Sequence, residues 1–218
     1  MIEHVYRRAA AARGIGRVLV ATDDGRIAAA VRAFGGEAVM TRPDHESGTD
    51  RIAEVAASLT ADIIVNVQGD EPGLDPSAIE QAAAPLVGDP GIVMATLGTR
   101  LEGEADLSNP HVVKVLVGED GFALYFTRAA VPYRRDGGPV PDRVCRHVGL
   151  YVYRRAFLLK LAALPRTPLE QSESLEQLRA IEHGFRIKVV RVPRAPAPVD
   201  TPDDLERARR LAAEGLLS

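Results

Sequence analysis

The chain has 218 residues, a net charge of −3, 46% hydrophobic and 26% charged residues. That is enough chain for a full hydrophobic core, and its slightly acidic balance argues against a protein that coats nucleic acid. No apolar run approaches the roughly 18–20 residues that span a bilayer, and a single cysteine, Cys145, excludes an internal disulfide or a Cys-based zinc site.

Met1 leads directly into Ile-Glu-His-Val-Tyr, with no secretory or transit signal, so the cytoplasm is the expected location. The 27 basic residues include only three lysines, Lys114, Lys160 and Lys188. Most of the arginines read as solvated surface.

In chain order, β-branched runs at 17–22, 37–41 and 62–67 predict strands. Between the first two, Ile27, Ala30, Val31 and Phe34 have helical spacing, after Asp23-Asp24 and before Gly35-Gly36. A second helix is predicted from about Gly48 to Leu59. Such alternation implies right-handed crossovers and a three-layer, Rossmann-like, mostly parallel sheet. The nearly continuous apolar run 63–67 reads as a strand buried on both faces.

The second half changes character. Residues 112–117 and 122–126 predict a β-hairpin, with Asp120-Gly121 supplying the turn. A loop rich in Gly, Pro and Arg follows at 132–142, then a strand at 147–153. Helices are predicted at 155–164 and 168–183, a strand at 185–192 and a last helix from Pro202 to about Glu214. One α/β domain over 1–218 with an antiparallel insertion accommodates this order.

In open parallel sheets, ligands bind beyond the carboxyl ends of the strands. Three such ends carry polar residues: Thr22-Asp23-Asp24, Thr41-Arg42-Pro43-Asp44-His45 and Gln68-Gly69-Asp70-Glu71-Pro72. Each also has an ordinary structural explanation. Asp23 and Asp24 are read as helix caps, Arg42 could be a solvated loop residue, and Asp70 and Glu71 could be turn formers. The third segment is the most informative, because a buried strand ends in Gln, Gly and two carboxylates. Oxygen ligands there suit Mg²⁺, which takes one or two carboxylates plus water and substrate phosphates.

Val67-Gln-Gly-Asp-Glu-Pro72 closely resembles the signature of 3-deoxy-manno-octulosonate (Kdo) cytidylyltransferases, the CMP-Kdo synthetases. The resemblance spans nearly the whole chain. It includes Thr41–Arg51, Met94–Leu97, Asn109-Pro110, Val113–Val115, Ala123–Pro132, Arg146–Tyr151, Pro168–Glu170, Leu175–Arg179 and Val199–Arg207. It implies a reaction in which CTP and Kdo give CMP-Kdo and pyrophosphate for lipopolysaccharide synthesis. The sugar's anomeric hydroxyl attacks the α-phosphorus in line.

The resemblance also implies residue roles. Asp70 and Asp200 match Mg²⁺-binding aspartates. Asp200 lies in Val199-Asp-Thr-Pro202, where Thr201 is the better candidate for the helix cap. Thr41, Arg42, Ser47, Gly48, Thr49 and Arg51 would line the nucleotide pocket, and Ser47 could also cap its helix. Gln68, Arg128, His147, Tyr151, Glu176 and Gln177 would contact the sugar. Arg128 suits its carboxylate, and His147 is read as a hydroxyl contact rather than a general base. Helical periodicity alone would put Glu176 on a solvated face. The element at about 120–153 resembles the family's dimer element, which implies a homodimer.

One departure stands out. The family pattern begins with a strand and a Gly-containing basic loop that cradles the triphosphate, whereas Met1 aligns with an internal family methionine. Residues 1–218 alone are therefore expected to bind CTP weakly and turn over slowly. Another sugar cytidylyltransferase, such as a CMP-N-acylneuraminate synthetase, and a non-catalytic nucleotide- or sugar-binding remnant remain as alternatives.

Overall fold

The computed structural model describes residues 1–194, 199 and 201–214. The first half alternates helix and strand: α1 (Ile2–Ala11), β1 (Val20–Thr22), α2 (Gly25–Ala33), β2 (Ala38–Met40), α3 (Gly48–Ala57), β3 (Ile63–Asn66), α4 (Pro76–Gly88) and β4 (Met94–Arg100). After α5 (Glu104–Ser108) come three strands, β5 (Lys114–Val117), β6 (Ala123–Thr127) and β7 (Val144–Arg154). The remainder is α6 (Arg155–Ala162), α7 (Pro168–Glu173), α8 (Gln177–Glu182), β8 (Lys188–Arg191) and α9 (Pro202–Ala213).

A six-stranded sheet runs β6-β5-β7-β4-β8, with β3 also paired to β7. Its strand directions explain why periodicity suggests a parallel sheet. Strands β3, β4, β5 and β8 share one direction, but β7 runs against β3, β4 and β5. Among the described pairings only β4–β8 and the separate β1–β2 ladder are parallel. The long β7 strand therefore organises the sheet.

Two apolar cores lie on the two faces, as a three-layer α/β fold requires. On one, Ala53 and Ala56 of α3, Phe157 and Leu161 of α6, and Leu178 of α8 pack against Met94, Val115, Phe126 and Tyr153. On the other, Ala9 of α1 and Ala78, Ile79, Ala82 and Leu86 of α4 pack against Ala95, Leu97, Leu150 and Val152.

Several expectations change. Strand β3 alternates half-buried and buried residues rather than being buried throughout, because its only ladder among the described residues is with β7. The single helix expected over 168–183 is two. Ser174, at φ 51°, ends α7 in the left-handed region, and Leu175 N–H turns back to Glu170 O at 3.1 Å. Asp24 caps α2, accepting Arg26 N–H at 2.7 Å, but Asp23 does not. The hairpin turn is as expected, with Gly121 at φ 76° and Asp120 accepting Phe122 N–H at 3.1 Å.

Candidate active site

Beyond the ends of β1 and β2, Arg51 on α3 reaches back across the gap. Its Nη1 donates to Thr41 Oγ1 at 2.6 Å and its Nη2 to Asp23 Oδ2 at 3.1 Å. This network ties three chain segments together and explains why Asp23 is not a cap. The neighbouring loop is held by Glu54, which accepts Arg42 N–H at 3.2 Å and bonds the His45 ring. The bond with His45 and the Arg42 N–H hold the Glu54 carboxyl below its usual range. The Arg42 guanidinium stays exposed, 3.7 Å from Glu54 and 3.9 Å from Asp44.

Ser47 caps α3 by accepting Asp50 N–H at 3.1 Å, and Gly48 opens the helix. Within the first turn, Thr49 is buried. It donates to Glu176 Oε2 through its hydroxyl at 2.7 Å and its backbone N–H at 3.3 Å. The structure thus joins a residue expected on the nucleotide side to one expected on the sugar side. Glu176 is half-buried, contrary to the solvated face that periodicity suggests, because α8 begins at a break that sequence spacing does not reveal. The next residue, Gln177, is buried, and its Nε2 has no hydrogen-bond partner among the described residues.

At the centre, β4 and β7 slip register between Thr96 and Leu97. A bulge leaves carbonyls without ladder partners, and buried carbonyls need donors. Two side chains supply them. Thr96 Oγ1 lies 2.8 Å from Leu150 O and 3.2 Å from Val148 O, and Gln68 Nε2 donates to Gly149 O at 3.4 Å. The bulged strand carries His147 and Tyr151, with ring centroids 5.4 Å apart, and Phe126 meets His147 edge-on at 5.1 Å. Burial pushes the His147 imidazole down to about 3, so it is neutral at physiological pH, and raises the Tyr151 phenol well above its usual value.

Arg128 follows β6 on a framework of acceptors. Its Nε donates to Glu173 O at 2.9 Å, its Nη1 to Pro110 O at 3.1 Å and its backbone N–H to Glu173 Oε2 at 2.9 Å. A guanidinium has five N–H donors, so three have no partner among the described residues. Beneath it, the buried Lys114 ammonium donates to Arg128 O at 2.6 Å and Asn109 O at 3.0 Å. Burial lowers its pKa, with Glu173 opposing that effect.

Asp70 sits half-buried on the turn after β3. Its carbonyl accepts Val199 N–H at 2.9 Å, which brings the approach to α9 beside this turn. Asp200 lies outside the described residues. Thr201 caps α9, accepting Asp204 N–H at 3.2 Å, as expected. A separate cavity of about 1150 Å³, bordered by Arg100, Glu102, Pro141, Arg146 and Arg207, contains none of the expected site residues.

The sequence profile of the cytidylyltransferase family matches residues 1–188. The chain belongs to that family. A 3-deoxy-manno-octulosonate cytidylyltransferase of Trichlorobacter lovleyi is 51% identical, covering 99% of this chain and 89% of that protein. One from Syntrophotalea carbinolica is 53% identical, covering 95% and 86%. A solved CMP:2-keto-3-deoxy-manno-octonic acid synthetase complexed with CTP superposes with a TM-score of 0.93 at 45% identity, covering 99% of this chain and 88% of that one. A 4-diphosphocytidyl-2C-methyl-D-erythritol synthase from Anaerococcus prevotii shares the fold at 12% identity, with a TM-score of 0.62.

Within this family frame, the predicted residues fall into three linked groups. Thr41 and Arg51 form one, Ser47, Gly48, Thr49, Glu176 and Gln177 a second, and Gln68, His147 and Tyr151 a third. Arg128 is held apart by its guanidinium and its backbone N–H, Asp70 by its backbone carbonyl, and Arg42 stands exposed beside Glu54 and Asp44, while Asp200 lies outside the described residues. Sequence reasoning assigns no role to Glu54, Thr96, Lys114 or Glu173 and reads Asp23 only as a helix cap, yet all five support these residues. Lys114 carried a signal, a lone lysine inside an apolar strand run; Thr96 carried none, because a threonine in a strand is ordinary.

Proposed function

We propose that this protein is a Kdo cytidylyltransferase that joins CTP to Kdo and releases pyrophosphate, supplying lipopolysaccharide synthesis in the cytoplasm. Family membership supports the nucleotidyl transfer. The observation that carries the sugar assignment is the arrangement around β7, where His147, Tyr151 and Gln68 gather at the bulge and Arg128 keeps three donors unspent.

In this reading Arg128 takes the sugar carboxylate, because its guanidinium fork suits a carboxylate. Neutral His147 and the phenol of Tyr151 contact sugar hydroxyls, while Gln68, Glu176 and Gln177 complete the polar lining. Arg51, Thr41 and the first turn of α3 hold the nucleotide. The sugar's anomeric oxygen forms a bond to the α-phosphorus as the bond to pyrophosphate breaks. With a neutral histidine of low basicity nearby, the residues act mainly by positioning the two reactants.

Mg²⁺ fits the residues present. The Asp70 carboxylate makes no hydrogen bond or ion pair with any described residue. No group of three or more acidic, His or Cys side chains converges among the described residues, and Mg²⁺ needs only one or two carboxylates. Asp70, with Asp200, would hold it, and when bound it would supply charge neutralisation for the triphosphate.

A homodimer through the 120–153 element belongs to the same proposal. Strand β6 is a sheet edge, Leu124 on it is 63% exposed, and Tyr133 just beyond is 89% exposed. No described helix is long and apolar enough to cross a membrane.

The test is calorimetric binding of each acid sugar, followed by pyrophosphate release from CTP with Mg²⁺. Kdo should bind and be preferred over N-acetylneuraminate. Faster release with N-acetylneuraminate, or no binding of Kdo, overturns the assignment.

A further inference from the structure

The hydrogen-bond geometry of Thr96 determines which nitrogen of His147 carries the proton. Thr96 Oγ1 lies 2.8 Å from Leu150 O, 3.2 Å from Val148 O and 3.0 Å from His147 Nε2. A hydroxyl has one proton to give, and a carbonyl oxygen can only accept. The short contact to Leu150 O therefore uses that proton. Thr96 Oγ1 must then be the acceptor in its contact with His147, so Nε2 is the nitrogen that bears hydrogen.

The ring is neutral, so it carries one N–H and one lone-pair nitrogen. With the hydrogen on Nε2, the lone pair is on Nδ1. That atom takes no hydrogen bond from any described residue, and it is not among the buried side-chain atoms lacking a partner. It is left for a ligand.

We infer that Thr96 is a positioning residue that locks His147 in the Nε2–H tautomer, so that His147 offers the substrate a hydrogen-bond acceptor and never a donor. The ligand group it selects is a hydroxyl, donating to Nδ1. A carboxylate or phosphoryl oxygen, which can only accept, is disfavoured there. This inference rests on the sugar-side reading above for the identity of the ligand, but not for the tautomer. It separates the sugar contacts by chemistry: Arg128 for the acid group, His147 for a hydroxyl. It also explains why a buried threonine is needed where a valine would fill the same space. The one hydroxyl satisfies the bulge and orients the ring together.

The test starts with the unliganded protein. Nitrogen-15 spectra of histidine-labelled protein at neutral pH should show His147 with a protonated Nε2 and a bare Nδ1. Thr96→Ser should keep this pattern, whereas Thr96→Val should give a mixture of tautomers. In kinetics, Thr96→Val should raise KM for the acid sugar about tenfold, equivalent to ~1.4 kcal/mol, with KM for CTP unchanged. A protonated Nδ1 in the parent protein overturns the inference even if Thr96→Val fails to fold. So does a tautomer mixture in Thr96→Val with no change in sugar KM. A protein with the expected tautomer that does not bind Kdo refutes the substrate assignment and leaves the tautomer standing.

Discussion

Arg179→Met should destabilise the protein severely, because of where Arg179 and its partner lie. Arg179 on α8 grips Glu170 on α7 with both arms of its fork, Nη2 to Oε1 at 2.6 Å and Nε to Oε2 at 2.9 Å. The two side chains are 4% and 1% exposed. Asp50 of α3 stands 3.5 Å from the same guanidinium, and Thr167 N–H reaches Glu170 Oε2 at 3.2 Å. Removing the arginine leaves the buried Glu170 carboxylate with only Arg166, partly exposed and 3.5 Å away, as counter-ion, at a cost of up to about 3–5 kcal/mol. For a chain of this size each kcal/mol lowers Tm by about 2–4 °C, so a fall of roughly 6–20 °C is expected. Because α8 begins beside Glu176 and Gln177, sugar KM should rise as well.

The sign of the pH dependence follows from Glu170. Burial raises its pKa, but Arg179 and the Thr167 N–H outweigh this, and the net value is lowered. The pair's stabilisation is therefore complete above the unfolded-state value of about 4.3 and lost as pH falls through the lower folded value. Thermal unfolding by circular dichroism, measured at neutral and acidic pH, reads both effects. In Arg179→Met, replacing Glu170 with Leu should recover much of the loss by removing the buried charge that Arg166 alone compensates poorly. A loss below about 1 kcal/mol, smaller than the range for breaking a buried pair, or a double variant no more stable than Arg179→Met, would refute the reasoning.

Asp70→Asn should abolish Mg²⁺-dependent pyrophosphate release with Tm unchanged, and Asp200→Asn should match it; Mg²⁺-dependent turnover in either would remove that residue from the metal site. Arg128→Lys should raise sugar KM by about tenfold or more while leaving KM for CTP unchanged, since an ammonium lacks the planar fork; an unchanged sugar KM would move the carboxylate elsewhere. Ser47→Ala should cost about 1 kcal/mol through loss of the α3 cap and also weaken CTP binding. Calorimetry showing normal CTP affinity would confine Ser47 to capping.

The sequence alone determined those features that depend on local chemistry. Apolar periodicity and turn residues located α2, the start of α3, the 118–122 turn and the Thr201 cap, because such signals act over one or two helical turns. The Gln68–Pro72 stretch and the segments in order around it pointed to the family without any tertiary information. Tertiary structure decided what depends on residues far apart in the chain. The break at Ser174 went unseen because no glycine marks it, and α4 passed unremarked despite Asp75-Pro76 at its start, with Pro85 inside it. Strand direction could not be read either, since a buried apolar run looks the same beside a parallel or an antiparallel neighbour. The pairings of Asp23 with Arg51, Thr49 with Glu176 and Thr96 with His147 span 28, 127 and 51 positions. No periodicity reaches that far, and only the packing of α3, α8 and the β7 bulge brings these side chains within hydrogen-bonding distance.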